Sequence, residues 1–200
     1  TLAMGAGTLI TNMGGNATYA GAITGTASSN FVRSGGSTLT FESALAYSGA
    51  TLLTGGTTTL QDDATLLNTS KIDLNYATFS VNNNVFQGSS GGFQTDMADR
   101  VGNSIPINLR GGTLSYTGRA LTASSETFGL VSALQGANTI TISSGNSGSG
   151  NSTSRSNSLV LSCSCTPLPA RLRARTLSRT VVCECCGSSR YWAPTRLAVQ

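Results

Sequence analysis

The chain of 200 residues predicts an all-β fold built from narrow repeated layers. Three observations carry this. Hydrophobic residues make up only 38% and charged residues 10% of the chain, while Gly, Ser, Thr and Asn fill the remainder. That is too little apolar volume for one large core, yet enough for a stripe in each of many small layers. Runs of four or five residues with alternating polarity recur every eight to ten positions, separated by Gly, Asn, Asp or Ser, with no sustained helical period. Finally, Ile72-Asp-Leu-Asn-Tyr-Ala-Thr-Phe-Ser-Val81 returns as Ile107-Asn-Leu-Arg-Gly-Gly-Thr-Leu-Ser-Tyr116 at a gapless offset of 35. One such unit cannot bury its apolar stripe alone, so copies must stack as a solenoid.

The elements follow in order. Strand candidates lie at Leu9–Thr11 and within Thr18–Thr24, where TYAGAITGT reads as strand, turn, strand. Phe31–Arg33 leads through Gly35-Gly36 into Thr38–Phe41, whose period-two pattern buries one face. A loop is expected at Glu42–Ser48, then strands at Ala50–Thr54 and Thr57–Leu60, split by Gly55-Gly56. Asp62-Asp63 marks a turn before Ala64–Leu67, and Lys71–Leu74 and Ala77–Val81 follow. Val85–Met97 is longer and more polar than a connection needs and is expected to protrude. Ala120–Leu134 has the composition for one helical turn, but Thr127, Val131 and the surrounding β pattern argue against it. The expected interior comprises Leu39, Phe41, Leu52, Leu60, Leu66, Ile72, Leu74, Phe79, Val81, Ile107, Leu109, Leu114, Ile140 and Ile142.

The chain divides at residue 153. Residues 1–153 carry five Lys or Arg against seven Asp or Glu, whereas 154–200 carry seven Arg against the single Glu184. All five cysteines, the only Trp and three of four prolines lie in the second part, and 23 of 24 glycines in the first. The net charge of +4 therefore belongs to the tail and signals no nucleic-acid partner for the whole chain. Out-of-frame reading of a GC-rich gene yields this Arg/Cys/Pro/Ser composition. Residues 154–200 are accordingly expected to be a disordered or non-native tail without selected function. No secretory signal, transmembrane span or lipidation motif is visible, and the chain opens without Met, already in repeat-like sequence.

YAGAITGT, the Gly-Gly-Ser-Thr-Leu-Thr-Phe run at 35–41 and YSGATLLTGGTTTLQ at 47–61 resemble the autotransporter-associated β-strand repeat. Its units read as a Gly-Thr-Leu-x-Leu strand followed by a Tyr-x-Gly-x-Thr turn and strand. INLRGGTLSYTG at 107–118 and ANTITISSGNSGSG at 137–150 are similar to segments that follow such repeats. The resemblance spans about three quarters of the chain and ends near Thr153. It implies a right-handed parallel β-helix (β-solenoid), with an irregular C-terminal tail beyond it. It further implies a passenger segment of a bacterial protein exported to the cell surface, without its β-barrel translocator in this chain. Arg33 stands where the family often has Lys, a departure that leaves the class intact.

Catalytic constellations are sparse. Histidine is absent, which excludes Ser-His and Cys-His nucleophiles, and Lys71 is the only lysine. Asp62-Asp63 and Asp96 with Asp99 offer carboxylate pairs of the kind that polysaccharide-cleaving β-helices or Ca²⁺ turns use. Turn chemistry explains Asp62-Asp63 without either. Cys163-x-Cys165 and Cys183-x-Cys185-Cys186 lack both the CxxC spacing and the histidines of a zinc site, and an odd number leaves one thiol unpaired. Arg171, Arg173, Arg175 and Arg179 form a basic run with only Tyr191 and Trp192 for stacking. Thr and Asn rows are expected to stack about 4.8 Å apart as hydrogen-bonded ladders. Such rows also make flat polar faces able to hold carbohydrate or ice-like water.

The expectation is thus a structural or adhesive surface segment presenting loops, with no catalytic residue, cofactor or resident metal. Its expected partners are surface glycans or proteins of a host or neighbouring cell, not nucleic acid, and a membrane only through a translocator or anchor elsewhere. The alternatives are a carbohydrate-active β-helix enzyme with acids on one face, or a frameshifted fragment without function.

Overall fold

The computed structural model describes residues 1–84, 97–119 and 124–144, and beyond them the backbone of five strands between 158 and 198. Among the described residues every element is a strand and no helix forms. The chain winds as a parallel β-solenoid of six coils with three faces. The first coil comprises β1 (Leu2–Ala3), β2 (Thr8–Asn12) and β3 (Ala17–Tyr19). The second contains β4 (Ile23–Thr24), β5 (Asn30–Ser34) and β6 (Thr38–Phe41), and the third β7 (Leu45–Ala46), β8 (Ala50–Thr54) and β9 (Thr57–Leu60). The later coils contribute β10 (Lys71–Asn75) with β11 (Thr78–Asn82), β12 (Ile107–Arg110) with β13 (Thr113–Gly118), and β14 (Ser125–Gln135) with β15 (Ala137–Ser144).

Three parallel sheets result: a narrow one from β1, β4 and β7, and two broad ones. The first broad sheet runs β2-β5-β8-β10-β12-β14, and the second β3-β6-β9-β11-β13-β15. The expected loop at Glu42–Ser48 holds the two-residue strand β7, and the expected strand at Ala64–Leu67 reduces to a single bridge from Leu66 to Val101. Ala120–Leu134 is not helical where described: Ser125–Gln135 is the longest strand of the solenoid.

Coil length emerges from the register of the second broad sheet. Ala17, Leu39, Thr58 and Phe79 stack in sequence, at separations of 22, 19 and 21 residues. The step from Phe79 to Leu114 is 35, the offset of the sequence repeat, and Ile72 likewise meets Ile107, and Leu74 meets Leu109. The repeat is therefore the register of two adjacent coils. It exceeds an ordinary coil by about the length of the segment 84–97, most of which lies outside the described residues. The expected protrusion at Val85–Met97 falls there.

Alternation buries one side of each strand. Leu9, Phe31, Thr51, Ile72, Ile107 and Val131 form one inward column; Leu53, Leu74, Leu109 and Ala133 belong to the next. Leu39, Phe79, Leu114 and Ile140 face them from the other broad sheet, beside Phe41, Leu60, Val81, Tyr116 and Ile142. Each such apolar side chain, fully buried, stabilises by ~1.5–3 kcal/mol. Phe31 packs edge-on against Phe41, with centroids 5.6 Å apart. Leu52 is the one expected interior residue that fails. It pairs with Asp73 on the outward side, while Thr51 and Leu53 point in. Within Ala-Thr-Leu-Leu-Thr two successive leucines compete for one inward position, and the register of Lys71–Asn75 decides it. The inward Thr51 is made tolerable by hydrogen bonds to the Tyr47 hydroxyl (2.6 Å) and Thr69 Oγ1 (2.9 Å).

At the corner joining the two broad sheets, a left-handed residue turns the chain in the second to the sixth coil, with Gly56 (φ 56°) adding a second in the third. Gly35, Gly55, Gly111 and Gly136 have φ of 96°, 82°, 68° and 70°, and Tyr76 takes the equivalent place at 49°. Glycine enters this region without a Cβ penalty, which is why Gly recurs between the paired strands.

After residue 153 the pattern changes. The backbone of β16 (Ser158–Ser164) adds in parallel to β14, but β19 (Thr180–Cys186) pairs antiparallel with β15. Strands β17 (Arg171–Arg173) and β18 (Thr176–Leu177) pair antiparallel with β19, and β20 (Leu197–Ala198) with β16.

Candidate functional site

Two corners of the solenoid hold charge in its interior. The first surrounds Arg33. Its parity matches Phe31, so the side chain points inward beside Leu53 and is fully buried. The guanidinium donates to the carbonyls of Gly35 (3.2 Å), Gly55 and Ser37, tying the glycine turns of two successive coils together. Burial pushes its pKa below the usual arginine value. This side chain is structural cement rather than the inconsequential departure that the sequence suggests.

The second lies where the second broad sheet turns back towards the narrow one. The chain leaves the described residues at Asn84 and re-enters at Met97; it leaves again after Arg119 and re-enters at Ser124. Both crossings therefore start from the ends of neighbouring strands, β11 and β13. Near these chain ends Asn83, Arg100, Ser124 and Glu126 are buried. Asn83 donates to the Met97 carbonyl (2.8 Å) and accepts from Arg100 Nε, while Arg100 reaches the Ala64 carbonyl (2.9 Å). Ser124 Oγ accepts from the Arg119 amide at 2.8 Å, closing the second crossing. Both oxygens of Glu126 accept backbone amides, from Arg100 and Val101, each at 3.0 Å. Burial raises the Glu126 pKa to about 7, opposed by those two amide bonds and reinforced by the nearby charge of Asp99. Sequence reasoning passed over Asn83, Arg100 and Glu126, since isolated charges in a polar chain read as solvated. The only available signal was their nearness to segments too long for a coil.

The sequence-predicted acids disperse. Asp62 is buried at φ 51° and Asp63 exposed in the turn after β9, as turn chemistry requires. Asp73 lies on the outward side of the first broad sheet, where it contacts Lys71 (2.8 Å), Asn108 (2.7 Å) and Arg110 (3.3 Å). Partial burial would raise its pKa, but these three partners outweigh it and hold the carboxyl below the usual range. Asp99 is exposed at φ 60°, and Asp96 lies outside the described residues. Glu42 accepts a hydrogen bond from Gln61 at 3.1 Å.

In the tail, Cys163 belongs to β16 and Cys183, Cys185 and Cys186 to β19, on different sheets; Cys165 lies outside the described residues. Arg171 and Arg173 lie in β17, whereas Arg175, Arg179, Tyr191 and Trp192 are outside them. Among the described residues no three His, Cys, Asp or Glu side chains gather as a metal site, and no helix is long and apolar enough to cross a membrane.

No protein-family model, no curated protein and no solved structure matches the chain.

Proposed function

We propose that residues 1–153 are a structural, adhesive segment of a bacterial exported surface protein: a rigid solenoid that presents the 84–97 and 119–124 crossings to a glycan or cell-surface protein. The observation that carries this is the anchoring of both crossings at one corner, by Asn83 to Met97 and by Arg119 to Ser124. A fixed base reduces the ordering entropy that a presented segment loses on binding. The acids best placed for chemistry are engaged structurally, Glu126 by two amides and Asp73 by three side chains.

The test replaces residues 85–96 with a short Gly/Ser link in the full chain and compares binding to glycan arrays and to host or neighbouring bacterial cells. Unchanged circular dichroism with lost binding supports the reading. Undiminished binding, or no binding by the parent chain, overturns presentation at this corner. Release of new reducing ends from polysaccharides by the purified chain would favour the carbohydrate-active alternative instead.

A further inference from the structure

The outward side of the sheet β3-β6-β9-β11-β13-β15 has a feature that a stalk does not use. Thr38, Thr57, Thr78, Thr113 and Thr139 stack in unbroken register over five coils. Two residues along each strand a second row runs Thr18, Thr40, Thr59, Ser80, Ser115, Thr141 over all six. Between the rows, Leu39, Thr58, Phe79, Leu114 and Ile140 are buried, so this face presents hydroxyls and methyls, with Thr59 the most enclosed of the row at 9% exposure.

Two facts separate this from β propensity and from internal ladders. Threonine favours strands wherever they run, yet the corresponding outward row of the other broad sheet reads Val32, Leu52, Asp73, Asn108 and Ser132. And among the described residues the eleven hydroxyls make no side-chain hydrogen bond, to one another or to other groups, whereas Thr117 and Ser143, one step further along, are 3.1 Å apart and paired. The two rows are left to bond outwards.

What they would bond must repeat as they do. Neighbouring strands lie about 4.8 Å apart, and alternate residues along a strand about 6.7 Å. Two oxygens hydrogen-bonded to one tetrahedral water at ordinary O–H···O lengths of about 2.75 Å lie about 4.5 Å apart. A file of single waters therefore bridges successive threonines with little distortion, and the second row repeats the file in parallel. Sugar sites, by contrast, use aromatic platforms, and Phe41, Phe79 and Tyr116 of these same strands all turn inward. We propose that this face binds the surface of ice through an ordered layer of water held by the two hydroxyl rows.

The experiment uses the full chain. Ice growth is followed in a nanolitre osmometer, and a fluorescent conjugate is partitioned into a growing ice shell. Thr78→Tyr and Thr113→Tyr place a ring across the array. Thr113→Val keeps the branched shape and removes one hydroxyl, and Leu52→Tyr puts the same bulk on the other broad sheet. Faceted crystals, a freezing-point hysteresis gap and incorporation into ice are expected for the parent and for Leu52→Tyr. Both tyrosine variants on the array should lose them while retaining the parent's circular dichroism, and Thr113→Val should narrow the gap. Round crystals and exclusion of the parent chain from ice overturn the proposal, as does equal activity in Thr78→Tyr. Retention on cellulose or chitin without ice shaping also overturns it and assigns the face to a glycan.

Discussion

Replacing Arg33 by methionine separates two accounts of the solenoid interior. Arg33 stands in a column with Leu53, Leu74 and Leu109. If burial of apolar volume governed this column, an unbranched apolar side chain would stabilise it by removing a desolvated charge. The partners decide otherwise. They are backbone carbonyls, which remain after the substitution. Ser37 O keeps the Thr57 amide at 3.0 Å, but the Gly35 and Gly55 carbonyls lose the guanidinium that serves them both. At ~1–1.5 kcal/mol for each carbonyl stranded, the expected cost is about 2–3 kcal/mol. Methionine fills most of the stem volume, so little cavity penalty adds to this. Arg33→Lys should fall between, because one ammonium cannot span carbonyls in two coils. Urea denaturation followed by far-ultraviolet circular dichroism gives the stability. Hydrogen exchange at the Gly55 and Thr57 amides, both bonded across this corner, locates the loss. An Arg33→Met chain as stable as the parent, with unchanged exchange there, would refute the reasoning.

Three further outcomes follow from the same geometry. Leu53→Ala should cost ~2–5 kcal/mol in urea melts, and Leu52→Ala about 1 kcal/mol or less, because only Leu53 points inward; equal costs would place the register of β8 in error. Gly49→Ala should destabilise by ~1–3 kcal/mol, since a Cβ there meets the backbone oxygen of Ser29 in the preceding coil at 2.2 Å; a melting temperature equal to the parent's would show that the coils can separate locally. Glu126 binds its proton more tightly folded than unfolded, its pKa raised from 4.5 to about 7. Stability should therefore fall as pH rises from about 4.5 to about 7, by at most ~3 kcal/mol, and be level above that for this group. Melts of the parent and of Glu126→Gln across pH 4–8 check this: the difference between the two curves should change over that window, and parallel curves would contradict it.

The sequence by itself determined the class and much of the register. The paired units at 72–81 and 107–116 name the residues that meet across two coils, since stacked coils place like positions over one another and a conserved offset within one chain is a register. Asp62-Asp63 and the Gly-Gly pairs marked turns because left-handed backbone is local chemistry, legible without neighbours. Tertiary structure alone decided the rest. Whether Leu52 or Leu53 faces inward depends on the strand alongside, not on a segment in which both fit. Burial of Arg33, Arg100 and Glu126 is equally invisible locally, because each also needs a carbonyl or amide supplied from 20 or more residues away: Gly55 for Arg33, Ala64 for Arg100 and Val101 for Glu126. The two hydroxyl rows stand between these cases: their threonines are plain in the sequence, but only the alignment of coils of unequal length brings them onto one face.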